Sequence, residues 1–193
     1  MTSTPSFSQT AYRWYEDGSE SGSADAGAAQ STALDRYLDG NQFLHLRVRL
    51  QITNAVAGAS TDDFQLQYAK NGGAFANVAS ASSGVIGRVS ANLTDAANTT
   101  NRLGAGTGSF VAGEVANNVN GLVTDRQVTA SNYSEMLYSI QLTAADLADG
   151  DVLTFRVLRN GSTITYSVTP QVTVHVPSGT LSNGIAISNR ANT

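Results

Sequence analysis

Cysteine is absent from the 193-residue chain, and its absence excludes disulfides, thiolate metal ligands and cysteine nucleophiles. Histidine occurs only at positions 45 and 175, too few for a zinc centre, in which three or four ligands must converge. Lysine occurs once, as Lys70; the other ten of the eleven basic residues are arginines, and they are scattered. With a net charge of −4 and no basic stripe, the chain offers nothing to neutralise a phosphate backbone, so no nucleic-acid partner is expected. Charged residues make up 13% of the chain, against about a quarter in ordinary domains. Arginine in place of lysine is a trait of contact surfaces, and equally of a GC-rich coding bias. No apolar run approaches the ~20 residues that span a bilayer, so no membrane partner is expected. The opening "MTSTPSFSQTAYRW" lacks the basic and apolar regions of a signal peptide, which predicts synthesis in the cytoplasm.

What is present is alternation. In "FLHLRVRLQIT" (43–53), Leu44, Leu46, Val48, Leu50 and Ile52 share one face; His45, Arg47, Arg49 and Gln51 share the other. A slip of one residue would bury the polar set, so the register is firmly specified. "FQLQYAKNGGAFANV" (64–78) alternates through Phe64, Leu66 and Tyr68, then meets Asn71-Gly72, a strong hairpin signal. "TAYRWYE" (10–16) predicts a strand with Tyr12 and Trp14 on the core side and Tyr15 exposed. "YSEMLYSIQLT" (133–143) alternates through Met136, Tyr138, Ile140 and Leu142, and 152–176 reads as strand, Asn-Gly turn and strand. A turn is expected over 54–63, a corner over 144–151, and a short helix between Ala28 and Leu38, where Leu34, Tyr37 and Leu38 have helical spacing. Several short alternating strands with turn signals predict an all-β protein. The expected organisation is a polar N-terminal arm (1–10), a β-sandwich domain (11–176) interrupted by an insertion (79–132), and a polar C-terminal tail (177–193).

The insertion is rich in glycine, asparagine and small polar residues, and structureless stretches of such length are usually functional or disordered. Its scattered apolar residues Leu103, Phe110, Val111 and Leu122 are the expected interface anchors, docking on a neighbouring subunit or a partner surface. The rest of the sandwich is expected to fold without it.

Reactive constellations are sparse. His45 and His175 both read as outward-facing residues of different sheets. "GTGSF" (106–110) lacks the G-x-S-x-G elbow of a serine hydrolase. Asp62 and Asp63 would point to opposite faces of a strand, and Glu16, Asp17 and Glu20 read as solvated loop residues rather than a glycosidase pair. "DGD" (149–151) suits a tight turn better than a calcium site, which needs six to eight oxygens. "GAGTG" (104–108) is not followed by G-K-[ST] and is no P-loop. Trp14 and Tyr15 could serve a sugar-stacking platform, although one face of such a strand is normally core. No catalytic residue, metal or cofactor is therefore expected, and the chain reads as a non-enzyme.

"FQLQYAKNGG", "LADGDVLTFRV" and "YSVTPQVTV" resemble segments of immunoglobulin-like and fibronectin-III-like domains, in which an acidic Gly turn precedes a late strand. The resemblance covers about half the chain and implies an antiparallel β-sandwich with a long inserted segment. It departs in lacking the cysteine pair. "YRWYEDGSE", "DDFQLQYAKNGGAF", "TNRLGAGTGSFVAGE" and "LRNGSTITYSVTPQVTV" resemble virion proteins of tailed bacteriophages. That resemblance implies a structural role: a capsid decoration (cement) protein or head spike, made in the host cytoplasm and resident in the virion. It implies self-association as a trimer and contact with the major capsid protein or another virion protein. The alternatives are a tail or baseplate fibre module and a sandwich that binds a host glycan.

Overall fold

The computed structural model describes residues 5–53, 60–129 and 131–177. The strands are β1 (Ser6–Glu16), β2 (Leu34–Tyr37), β3 (Gln42–Thr53), β4 (Ser60–Lys70), β5 (Ala76–Asn77), β6 (Val85–Gly87), β7 (Val115–Ala116), β8 (Leu122–Val128), β9 (Tyr133–Leu142), β10 (Val152–Arg159), β11 (Ser162–Thr163), β12 (Thr165–Tyr166) and β13 (Gln171–His175). Among the described residues there is no α-helix, only a 3-10 turn at Ala144–Asp146. The strands form two mixed sheets. The first runs β12-β1-β3-β9-β6, with β7 also on β9; the second runs β2-β13-β10-β4-β5, with β11 on β10 and β8 on β4.

The core lies between the sheets and follows the alternation. Leu44, Leu46, Val48, Leu50 and Ile52 of β3 and Met136, Tyr138, Ile140 and Leu142 of β9 are buried together. Facing them are Phe64, Leu66 and Tyr68 of β4, Leu153, Phe155 and Val157 of β10, and Val172 and Val174 of β13. Trp14 meets Phe155 edge to face, with ring centroids 5.2 Å apart. In β1 the register shifts between Gln9 and Ala11. An extra residue resets the side-chain phase, and so Phe7 before the bulge and Tyr12 and Trp14 after it all reach the core.

Gln9 shows why a polar residue tolerates full burial here. Between β11 and β12 the chain leaves the second sheet and joins the first, where β12 lies parallel to β1. This departure removes a ladder partner from the middle of β10. Gln9 replaces it: its Oε1 accepts the Val157 N–H (3.2 Å) and its Nε2 donates to Val168 O (2.9 Å). The Tyr166 hydroxyl donates to Val157 O (2.8 Å) and completes the repair. A buried backbone group left unpaired would carry a desolvation penalty, which these side chains remove.

Several expectations shift. Residues 6–10, read as an arm, begin β1. Residues 60–63, read as turn, begin β4, whereas 54–59 and the tail beyond 177 lie outside the described residues. The expected helix near 28–38 is replaced by β2, parallel to β13. Extension lets Leu34 and Leu38 enter the core while Tyr37 points out, 71% exposed and stacked on His175. A lone helix of that length is marginal, and ladder partners on β13 decide the outcome.

Candidate functional site

The unexpected feature is the second face of the first sheet. All ten residues of β9 are buried, and so are most of β3. Residues 17–23 and much of the insertion fold over this face and form a third layer. The insertion also closes the open edge of β9. Val111 N–H donates to Tyr133 O, Leu137 N–H to Glu114 O and Arg88 N–H to Ser139 O, while β6 and β7 pair with β9 directly. On the opposite edge, Ala26 N–H and Ser31 N–H donate to the carbonyls of Trp14 and Tyr12, and Ser167 N–H to that of Gln9. Sheet edges covered in this way offer no template for strand addition by another chain.

The layer is held mainly by polar side chains. Arg47, 0% exposed, donates to Thr100 O (2.7 Å), Glu20 O (2.9 Å) and the Glu135 carboxylate (3.0 Å), and also pairs with the Glu20 carboxylate. Glu135, also 0% exposed, accepts the N–H groups of Leu103 (2.9 Å) and Arg102 (3.0 Å). The Thr99 hydroxyl donates to Glu135 O (2.6 Å) and accepts the Gly113 N–H (2.9 Å). Gln51 brackets Thr107, accepting its N–H and donating to its carbonyl, both at 2.9 Å. Asn117 accepts the Ser90 N–H (2.7 Å) and donates to Leu93 O (2.8 Å). Arg102 lies over the Tyr15 ring, 4.3 Å from its centroid. One small apolar cluster, Leu93, Val115 and Leu137, sits within the layer. Gly113 permits the close approach: a Cβ there would stand 1.8 Å from Glu135 O.

The electrostatics follow from this burial. Burial pushes the Glu20 carboxyl up, but hydrogen bonds from Arg47 and Thr100 outweigh it and hold the group below its ordinary value. Burial lowers the His45 pKa, with Asp17 opposing and Arg47 reinforcing the effect. Burial raises Glu114, with Asp95 and Asp125 adding to the rise against Arg126.

The residues singled out from sequence fall as follows. His45 is not on the surface; the covering layer buries it, with Nε2 3.2 Å from Asp17. His175 lies on β13 between Asp35 and Asp149, in the other sheet, so the histidines are held apart. Tyr15 is 1% exposed rather than exposed, and Trp14 is 0% exposed, so the two make no sugar platform. Asp62 binds Arg159 and Asn160, while Asp63 accepts the Asp125 N–H; they diverge as an extended pair does. Glu16 pairs with Arg36, and Glu20 belongs to the buried network rather than to a solvated loop. Asp149 accepts the Val176 N–H just past β13, and Asp151 accepts the Ala148 N–H within its own turn. Among the described residues no three His, Asp or Glu side chains are grouped to hold a metal. Leu103 is buried inside its own chain, whereas Phe110, Val111 and Leu122 are half-buried, Phe110 against Tyr133.

Sequence reasoning missed Arg47, Glu135, Gln51, Thr99 and Asn117 as structural determinants. A signal existed: Arg47, Arg49 and Glu135 crowd one face of two alternating strands in a chain with few charges. Comparison with protein-family models, curated proteins and solved structures finds no match. The class that fold and site define is an all-β, two-sheet protein whose outer polar face is closed by its own chain.

Proposed function

We propose that the chain is a non-catalytic virion structural protein of a tailed bacteriophage, acting as a capsid decoration (cement) or head-spike protein. The supporting observation is where the polar chemistry goes. Arg47, Glu135, Glu20, Gln51 and Thr99 bond to backbone or to one another within a covered layer, and the open clefts beside Phe7 and Arg159 and beside Leu38 and Val176 are lined by other residues. Such an arrangement favours a rigid, closed module over a reacting site. The virion setting rests on the four stretches that resemble phage proteins, and the immunoglobulin- or fibronectin-like type of the sandwich belongs to the same reading. Copies associate on a symmetry axis as a trimer and add buried interface between capsomers. The contact uses Phe110, Val111 and Leu122 of the insertion, joined by Val89 and Val119, which are 56% and 42% exposed.

The test is to mix purified protein with expanded, undecorated shells of the virus that encodes it. Saturable co-sedimentation and a higher shell-disassembly temperature are expected. Shells that neither bind the protein nor gain stability would overturn the proposal.

A further inference from the structure

The antiparallel pair β4 and β10 ends in the same device twice. β4 runs through Lys70 into Asn71-Gly72, and β10 runs through Arg159 into Asn160-Gly161. Both asparagines are left-handed, with φ of 52° and 47°, and the glycines after them have φ of 71° and 75°. These are the positive values that a two-residue hairpin turn requires. Each asparagine then reaches across to the start of the other strand. Asn71 Oδ1 accepts the Val152 N–H (2.8 Å) and its Nδ2 donates to Asp151 Oδ1 (2.7 Å). Asn160 Oδ1 accepts the Asp63 N–H (2.8 Å) and its Nδ2 donates to Asp62 Oδ1 (2.7 Å). The main-chain N–H of Asn71 donates to Val152 O and that of Asn160 to Asp63 O, both at 2.9 Å or less. A cation flanks each carboxylate: Lys70 is 3.5 Å from Asp151, and Arg159 is 2.8 Å from Asp62. The two clasps are related by a local twofold between the strands.

Asn-Gly is also the dipeptide most open to spontaneous deamidation, because glycine leaves the following amide nitrogen unshielded. That nitrogen gives its proton to hydroxide and attacks Cγ of the asparagine. A C–N bond forms, Nδ2 takes a proton from water and leaves as ammonia, regenerating hydroxide, and water then opens the succinimide to aspartate or isoaspartate. Both asparagines are exposed, so water and hydroxide reach them. Attack requires the side chain to swing back over its own main chain. In each clasp two hydrogen bonds of opposite sense hold the amide toward the neighbouring strand, and swinging back would strip a buried carboxylate of one of its donors.

We propose that Asn71 and Asn160 are paired modification sites, held unreacted by the Asp151 and Asp62 clasps. Reaction at either site replaces an amide donor with a carboxylate facing a carboxylate, and so unfastens that end of the β4–β10 ladder. The Asn160 clasp is the tighter one, since its aspartate is 1% exposed against 7% for Asp151 and its cation is closer. Asn71 therefore reacts first.

The full chain, its Asp151→Ala variant and its Asp62→Ala variant are incubated in mildly alkaline buffer, with a urea-unfolded control. Aspartate and isoaspartate are quantified at each asparagine by peptide mass spectrometry. Both sites in the folded chain are expected to react severalfold more slowly than in urea. Asp151→Ala is expected to raise the rate at Asn71 toward the unfolded rate with Asn160 unchanged, and Asp62→Ala to do the reverse. Each molecule thus carries its own control for unfolding. Acceleration of both sites together would assign protection to the fold as a whole and overturn the proposal. Rates unchanged by either substitution, or equal in folded and unfolded chains, would overturn it as well.

Discussion

The two faces of the first sheet are covered by opposite means. The inner face is apolar: Leu44, Leu46, Val48, Leu50 and Ile52 pack on the second sheet, and many neighbours share each contact. The outer face is closed by Arg47, Gln51, Thr99 and Glu135, each bonded to a few named groups. Apolar burial is non-directional and degrades in proportion to the area lost. A buried polar network is directional: fully satisfied it fixes one arrangement, and missing one partner it leaves a buried group uncompensated. The inner face should thus tolerate changes of shape better than the outer face tolerates loss of a partner.

The most severe break is to replace residues 98–121 with a short Gly-Ser linker. The sequence alone predicts that the sandwich survives. With the covering layer in view the opposite is expected, because Leu103 and Val115 leave and Arg47, Gln51 and Glu135 lose their partners. The loss should rival the whole stability of a domain, about 5–15 kcal/mol. Calorimetry should show no cooperative transition; a sharp one near the parent temperature would mean that the layer is only a loop.

Next comes a pair of substitutions on adjacent residues of β3. Arg47→Met keeps much of the volume yet leaves Glu135 buried without its cation, and should lower stability by about 3–5 kcal/mol. Leu46→Met on the inner face should lower it by less than about 1.5 kcal/mol. Urea midpoints for the two, measured side by side, test the contrast; equal effects would remove it.

The smallest effect is on pH dependence. Folding lowers the His45 pKa from its ordinary 6.5, so the unfolded chain takes up the proton first as the pH falls. Stability is therefore full above 6.5 and declines below it, with a slope of at most about 1.4 kcal/mol per pH unit for one proton. Glu20, whose pKa is lowered from 4.5, adds stability above that value and loses it in more acidic solution, so its window opens at lower pH than that of His45. His45→Gln should flatten urea midpoints measured just below pH 6.5 and leave the more acidic decline in place.

The inner half of this comparison was legible in the sequence because periodicity reports it. Strands β3, β4, β9 and β10, their inward residues and the turns at Asn71-Gly72 and Asn160-Gly161 follow from alternation and turn chemistry. The outer half was hidden by the same rule. His45, Arg47 and Gln51 alternate with leucines, and alternation assigns polar residues to solvent unless something else covers them. Several of their partners are backbone groups of Glu20, Thr100 and Thr107, which no side-chain pattern announces. The strand at Leu34–Tyr37 was missed for a related reason: its ladder comes from β13, more than a hundred residues away.

The central claim is that the covering layer is part of the folded unit, fastened by buried side chains. Native-state hydrogen exchange tests it most directly at the N–H groups of Arg102 and Leu103, which donate to Glu135, and of Thr107, which donates to Gln51. These amides belong to loop residues and would exchange quickly if the layer opened on its own. The account predicts that they exchange only on global unfolding, with the same opening free energy as Leu46 and Val48 in β3. Exchange near the unprotected rate while β3 remains protected would contradict it.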